Sequence, residues 1–494
     1  MQNAAPAEAD HERATYQRVG LVLGPGLFVF MLAFSSTQQM MPDVAWRVAA
    51  VGLWMATWWA TEAIPVPATA FLPLVTFDLL GVAPIGVTVK SYAHPTIYLF
   101  LGAFIVAVAV EKWTLHRRLA LWILGKTGTD GRRLILGFML VAALLSMWMT
   151  NTSTTMMLLP IALSVATLIG ERGLDIDAVQ SKRFQIALML GLAYAATIGG
   201  LATLVGTPPN ILLAGFLQDT YGREIAFLDW MLIGVPLALA MLPLGWWVLT
   251  GMIYRFEIPA SEATLGLIND MRSELGPMSS AEKRVALIFL VVVLLWMSRS
   301  MLASLPGLSG LNDTGIVMTA ALLLFMVPSG MSGRGPLMVW SDLTRLPWGV
   351  LVLFGGGLAL AAQVAASGLA EWLGEGLSPL GSMGTIALIL ASAGLVVFLT
   401  ELTSNLATAA TFLPVIAAIA LTAEVDPLVL CVPVTLAASC AFMLPVATPP
   451  NAIVYSSGVL TIPDMIRAGF LMNLVSLALL TLVAVFLVPI VLGS

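Results

Sequence analysis

Four apolar stretches restrict this chain more than anything else in it. Residues 134–169, 184–217, 384–421 and 428–458 are each too long for one straight membrane span, and each is interrupted by polar, Gly or Pro residues. A single crossing needs about 20 residues. Stretches near that length stand at about 19–40, 45–63, 66–82, 94–112, 228–253, 284–303, 314–328, 348–366 and 466–492. The chain is 59% hydrophobic and 10% charged, where soluble proteins carry about 25% charged residues. It reads as an all-α polytopic membrane protein. Polar backbone at the interruptions is tolerated only where it is buried in protein or lines a cavity.

Orientation follows from the loops. Residues 111–133 hold six Lys and Arg and residues 170–183 hold three, whereas 367–383 and 422–427 hold none. Basic loops stay cytoplasmic. Both flanks of the first long stretch are basic and both flanks of the third lack bases, so each returns to the side it entered from, as a re-entrant hairpin. With a cytosolic tail at 1–18, this predicts about eleven crossings, a cytoplasmic N-terminus and an extracytoplasmic C-terminus. The N-terminal residues lack the basic region and short apolar run of a signal peptide.

The chain also repeats itself. Gly102 and Gly356, Asn151 and Asn405, and Pro160 and Pro414 are all 254 residues apart. A further pair, GTPPN ending at Asn210 and ATPPN ending at Asn451, is offset by 241. The first copy starts outside and the second inside, so the repeats are inverted, the architecture of secondary transporters. The expected organisation is scaffold helices at 19–93, repeat 1 at 94–253, a cytoplasmic loop at 254–283, scaffold helices at 284–346 and repeat 2 at 347–494. Repeat 1 holds a hairpin at 131–169, a broken helix at 184–217 and a closing helix at 228–253. Repeat 2 holds a hairpin at 383–421, a broken helix at 428–458 and a closing helix at 466–492.

Each hairpin carries a polar tip, TNTSTT at 150–155 and TSNLAT at 403–408. Hydroxyl and amide oxygens are hard ligands for an alkali cation, while amide N–H and hydroxyl protons donate to a carboxylate. Half-helices that start after each tip aim free N–H groups and partial positive charge at the same place. The four long stretches contain no Lys, Arg or His. A multivalent anion held there must therefore be neutralised by a travelling cation, and sodium fits. The net charge of −5 implies neither nucleic acid nor an anionic partner surface. Three scattered histidines make no transition-metal site, and Cys431 and Cys440 read as small buried hydrophobes. An intramembrane enzyme would need a titratable catalytic set, which the core does not offer.

These motifs resemble the divalent anion/sodium symporter family, whose mark is a Ser-Asn-Thr motif at each of two hairpin tips. Here the motifs read Thr150-Asn151-Thr152 and Ser404-Asn405-Leu406. The resemblance implies a sodium-coupled importer of di- or tricarboxylates that works as a homodimer by an elevator movement, with sodium as its only cofactor. It implies a first sodium site of Ser146, Thr150, Asn151 and backbone near Gly199. It implies a second of Thr400, Thr403, Asn405 and backbone near Ala447. Substrate carboxylates would meet Asn151, Thr152, Ser404, Asn405, Thr448 and Pro449. Leu406, where the family has Thr, removes a donor and leaves substrate preference open. A sodium-independent exchanger of the same fold and a sulfate symporter are the rival readings. Glu401, whose repeat mate is Met147, either serves the second sodium site or braces the hairpin. The basic amphipathic segment 114–128 is expected on the cytoplasmic surface, and Glu62 at an interface.

Overall fold

A computed structural model describes residues 13–171, 177–331, 333, 335–381 and 384–493. Most of the expected tail, with His11, and Arg172 of a basic loop lie outside the described residues. The described residues are helical almost throughout. The chain begins with α1 (Thr15–Ala33), α2 (Asp43–Thr61), α3 (Val66–Thr69), α4 (Leu72–Leu79) and α5 (Ile85–Tyr92). A first series follows: α6 (Pro95–Lys112), α7 (Leu115–Thr127), α8 (Gly131–Ser146), α9 (Asn151–Glu171), α10 (Ala178–Leu201), α11 (Pro208–Tyr221) and α12 (Phe227–Trp247). Between the two series stand α13 (Glu262–Glu274), α14 (Ser280–Ala303) and α15 (Asp313–Met326). The second series is α16 (Trp348–Ala366), α17 (Leu369–Gly381), α18 (Thr385–Leu399), α19 (Asn405–Thr422), α20 (Pro427–Ser439), α21 (Pro449–Tyr455) and α22 (Ile462–Leu482), with a short α23 (Val488–Leu492) at the end.

The two series match element by element. The first residues of α7 and α17, of α8 and α18, and of α9 and α19 all stand 254 residues apart, the offset carried by the asparagines. The offset thus belongs to the backbone as well as to the motif.

Local chemistry sets the ends. Asp130 accepts the Arg133 amide at 3.1 Å and Asp426 accepts the Leu428 amide at 2.9 Å, satisfying free N–H groups at the starts of α8 and α20. Pro208 and Pro449 open α11 and α21, where a missing N–H costs nothing.

Burial separates centre from rim. The apolar window of α10 is 94% buried, while those of α1 and α14 are 11% and 17% buried. The first runs through protein and the other two lie at the rim. Tyr194 on α10 donates its hydroxyl to the Phe442 carbonyl at 2.9 Å, which fastens the two series together at the centre.

Nine helices among the described residues are long and apolar enough to cross a membrane, where the sequence suggests eleven crossings. The nine include α9 and α19, each an arm of an expected hairpin, and leave out α2, whose tryptophans and Arg47 dilute its apolarity. The expected span at 66–82 is a pair of short helices, α3 and α4, broken ahead of Pro73, because a proline cannot continue the preceding ladder. The segment 114–128 is the helix α7, which buries Ala120, Leu121 and Leu124 against α8.

Candidate functional site

The interruptions meet at one cavity of about 1090 Å³. Its wall contains residues 149–153 and 402–406 of the two tips, and residues 206–209 and 446–450 of the two broken segments. Three helices, α9, α11 and α19, begin at this wall with Asn151, Pro208 and Asn405, and the short α21 begins there with Pro449. Free N–H groups and partial positive charge therefore point at the cavity without a cationic side chain. Charged residues among its lining are Glu62, Glu111 and Arg345, which stand at the ends of α2 and α6 and at the end of a 3-10 turn, Trp340–Arg345.

At the first tip, α8 stops at Ser146 and α9 starts at Asn151. Ser146 is fully buried, and its hydroxyl donates to Asn151 Oδ1. Thr150 Oγ1 accepts the Ser153 amide at 3.1 Å. The facing chain unwinds after Leu201, and the Asn210 amide donates to the freed carbonyls of Gly200 at 3.2 Å and Thr203 at 2.8 Å. Thr203 Oγ1 donates in turn to the Met147 carbonyl at 2.5 Å, which ties the broken helix to the tip. Gly199 packs against the Ala143 backbone. Gly200 faces Asn151 so closely that a Cβ there would lie 2.7 Å from Asn151 Oδ1, so any side chain at this position would displace the Asn151 amide.

The second tip repeats the design with different parts. Thr400 is fully buried, and its one hydroxyl proton is shared between Asn405 Oδ1 at 2.9 Å and the Ala438 carbonyl at 2.7 Å. Thr403 and Thr408 pair through their hydroxyls at 2.6 Å. The Asn451 amide donates to the Ala441 and Leu444 carbonyls at 3.2 and 3.0 Å, as Asn210 does in the first repeat. The Oδ1 atoms of both Asn210 and Asn451 are buried without a partner.

Glu401 holds this second segment. Its carboxylate accepts the amides of Phe442 at 2.8 Å, Met443 at 3.0 Å and Leu444 at 3.0 Å, and the Asn473 side-chain amide at 2.7 Å. Four donors satisfy an acid that is only 3% exposed. Of the two roles the sequence left open, the geometry carries the brace.

All six residues expected to meet substrate line the cavity. Of the expected sodium ligands, Thr150, Asn151, Thr403, Asn405 and Ala447 line it as well, while Ser146 and Thr400 sit behind their asparagines. Glu62 reaches the cavity with a left-handed backbone of φ 46°. Sequence reasoning passed over Glu111 and Arg345, and it marked Gly200, Thr207 and Pro208 only as parts of the broken segment 198–210 without giving them a place in the site.

Comparison with known proteins places this geometry. Residues 20–493 match the family model described as the sodium:sulfate symporter transmembrane region. The chain belongs to this symporter family. It is 42% identical over 480 residues to the sodium-dependent dicarboxylate transporter SdcS of Staphylococcus saprophyticus, covering 97% of this chain and 92% of that one. It is 41% identical over 488 residues to the SdcS of Staphylococcus aureus strain MRSA252, covering 97% and 93%. The fold is similar to the crystal structure of the YdaH transporter of Alcanivorax borkumensis, with a TM-score of 0.55, 14% identity, and 95% and 98% of the two chains covered. The symporter family is a family of multi-pass membrane transporters, not of enzymes, and the two matched tips and TPPN elements of this chain lie within the matched residues.

Proposed function

We propose that this symporter imports dicarboxylates of the succinate, malate or fumarate class, or citrate, together with sodium. One observation carries the reading: both asparagine tips and both TPPN elements face one cavity whose tip end is rich in hydroxyls, amides and helix N-termini and has no Lys, Arg or His. A carboxylate finds donors there, and its charge is left for a cation to neutralise. The sodium-dependent dicarboxylate transporters at 41 and 42% identity support the same substrate class.

In this reading the first sodium lies among Ser146, Thr150, Asn151 and the backbone near Gly199, and the second among Thr400, Thr403, Asn405 and the backbone near Ala447. The carboxylates meet Asn151, Thr152, Ser404, Asn405, Thr448 and Pro449. Moving one net negative charge against an inside-negative potential costs about 2.3 kcal/mol per 100 mV. Two sodium ions neutralise a divalent anion, and the two matched tips supply two places.

The paired series act as inverted repeats, with α8–α9 and α18–α19 as re-entrant hairpins entering from opposite faces. The basic loops lie in the cytosol. The ends of the helices that carry Tyr16, Glu62 and Glu111, and the loop of Arg345, then face the cytosol too, so the cavity is open inward. Hairpins and broken helices travel as one unit past a scaffold that includes α6 and α16, and the scaffold pairs two copies of the chain.

The test is uptake of labelled succinate into proteoliposomes with an inward sodium gradient, against potassium or choline, in vesicles empty or preloaded with succinate. Sodium-dependent uptake into empty vesicles is the expected result. Uptake only into preloaded vesicles, indifferent to sodium, would make this an exchanger. Inhibition by sulfate and not by citrate or malate would assign it to an inorganic anion.

A further inference from the structure

The cavity mouth holds charges that the carboxylate and sodium sites do not use. Arg345 is the one Lys, Arg or His among the lining residues, and Glu62 and Glu111 are the acids. Among the described residues none of the three side chains makes an ion pair. Arg345 also makes no hydrogen bond there. The acid nearest in sequence, Asp342, is paired with Lys112 at 2.7 Å, and Arg345 adds only a longer-range attraction to it.

The loop that carries Arg345 is fixed. Lys112, at the end of α6, holds Asp342, which also accepts the Val339 amide at 2.8 Å. Trp113 donates its indole N–H to the Leu337 carbonyl at 2.9 Å, and Trp348 donates to the Leu343 carbonyl at 3.0 Å. These bonds join the loop to α6 and α16. The backbone that carries Arg345 is thus fixed, and its exposed guanidinium presents a planar set of donors suited to a carboxylate.

We propose that Arg345 is a carboxylate station at the mouth of the cavity, the first group that the anion meets on leaving the tips and the group that captures it from the cytosol in reverse transport. This rests on the inward-open, carboxylate-carrying reading above. Glu62 and Glu111 share the mouth and keep the station weak, since their repulsion opposes long residence of an anion, while they draw sodium to the same opening. Because Arg345 belongs to the scaffold side and not to the tips, it acts on one face of the membrane only.

The experiment compares succinate KM on the two faces, with inverted membrane vesicles exposing the cytoplasmic face and right-side-out vesicles the other. Arg345→Gln is expected to raise the cytoplasmic-face KM about 3- to 10-fold at low ionic strength, with the gap closing as choline chloride screens the charge. The outer-face KM and maximal rate should stay within about 2-fold, and the maximal rate from the cytoplasmic face should rise in step with its KM, as detailed balance requires. Arg345→Lys, which keeps the charge, should hold the cytoplasmic-face KM within about 2-fold of the unaltered protein, and if Arg345→Gln fails to insert, Arg345→Met removes the same charge and reads the same shift. An unchanged cytoplasmic-face KM, an equal rise on both faces, or a rise on the outer face alone overturns the station. Absence of sodium-driven succinate transport by the unaltered protein would instead overturn the functional reading on which it rests.

Discussion

Thr400 donates to Asn405, five positions on, across a 2.9 Å hydrogen bond, and Ser146 bonds Asn151, also five positions on, in the same way. A helix end and the next helix start are joined by the same pair of groups in both repeats. In each pair a hydroxyl and an amide oxygen, both competent sodium ligands, lie side by side. A cation entering from the cavity would take over the lone pairs that this bond now occupies.

Replacing one of these hydroxyls should therefore weaken sodium binding before it weakens the fold. Thr400→Ala and Ser146→Ala are each expected to raise the sodium concentration for half-maximal succinate uptake about tenfold. Thr400→Ser, which keeps the oxygen, should stay within about threefold. A sodium titration of uptake checks this, and unchanged sodium dependence in both alanine variants would remove these residues from the cation sites.

Gly200→Ala should be more damaging than its size suggests. The added methyl would sit 2.7 Å from Asn151 Oδ1 and 3.1 Å from the Gly206 carbonyl. Uptake is expected to fall more than about tenfold while the protein still inserts and purifies, read by transport beside size-exclusion elution.

Glu401 predicts a stability effect. Glu401→Leu strands the three amides of residues 442–444 that the carboxylate accepts, and each unpaired buried donor costs about 1–3 kcal/mol. Thermal unfolding should move to lower temperature by more in Glu401→Leu than in Glu401→Gln, which keeps one acceptor. Equal unfolding temperatures for both variants and the unaltered protein would mean that the brace contributes nothing.

Leu406 predicts a change of preference. It lines the cavity beside Asn405 without a hydrogen-bonding group. Leu406→Thr is expected to tighten carboxylate binding about 3- to 10-fold, the value of one added hydrogen bond, measured as competition by unlabelled succinate and citrate. Which of the two gains more reads the orientation of the substrate at the second tip.

Much of this arrangement is legible in the chain because polar residues in a bilayer have few places to go. Asn151, Asn405 and the two TPPN elements announce themselves by polarity and by constant spacing, and the cavity gathers them. Gly200 shows in the sequence only as half of a Gly-Gly break, since its closeness to Asn151 arises across space. Glu401 is visible as an intramembrane acid, but its role depends on amides about forty residues away that only unwinding turns toward it. Arg345 sits in a loop, where one more basic residue carries no signal until the loop is seen at the cavity mouth. The break between α3 and α4 hides because apolar content continues across it.

The fastening of Tyr194 to Phe442 bears on how the protein is made. Ribosomes deliver α10 and its unwound continuation, 202–207, well before α20 and α21 exist. Until then a helix whose apolar window ends up 94% buried has lipid or unfolded neighbours where Phe442 will stand, and Thr207 in the break lacks Ser439, whose hydroxyl it meets at 3.4 Å. The first half of the chain is consequently a poor resident of the bilayer by itself. Its assembly waits on synthesis of the second half, so a truncated product is a natural substrate for membrane quality control.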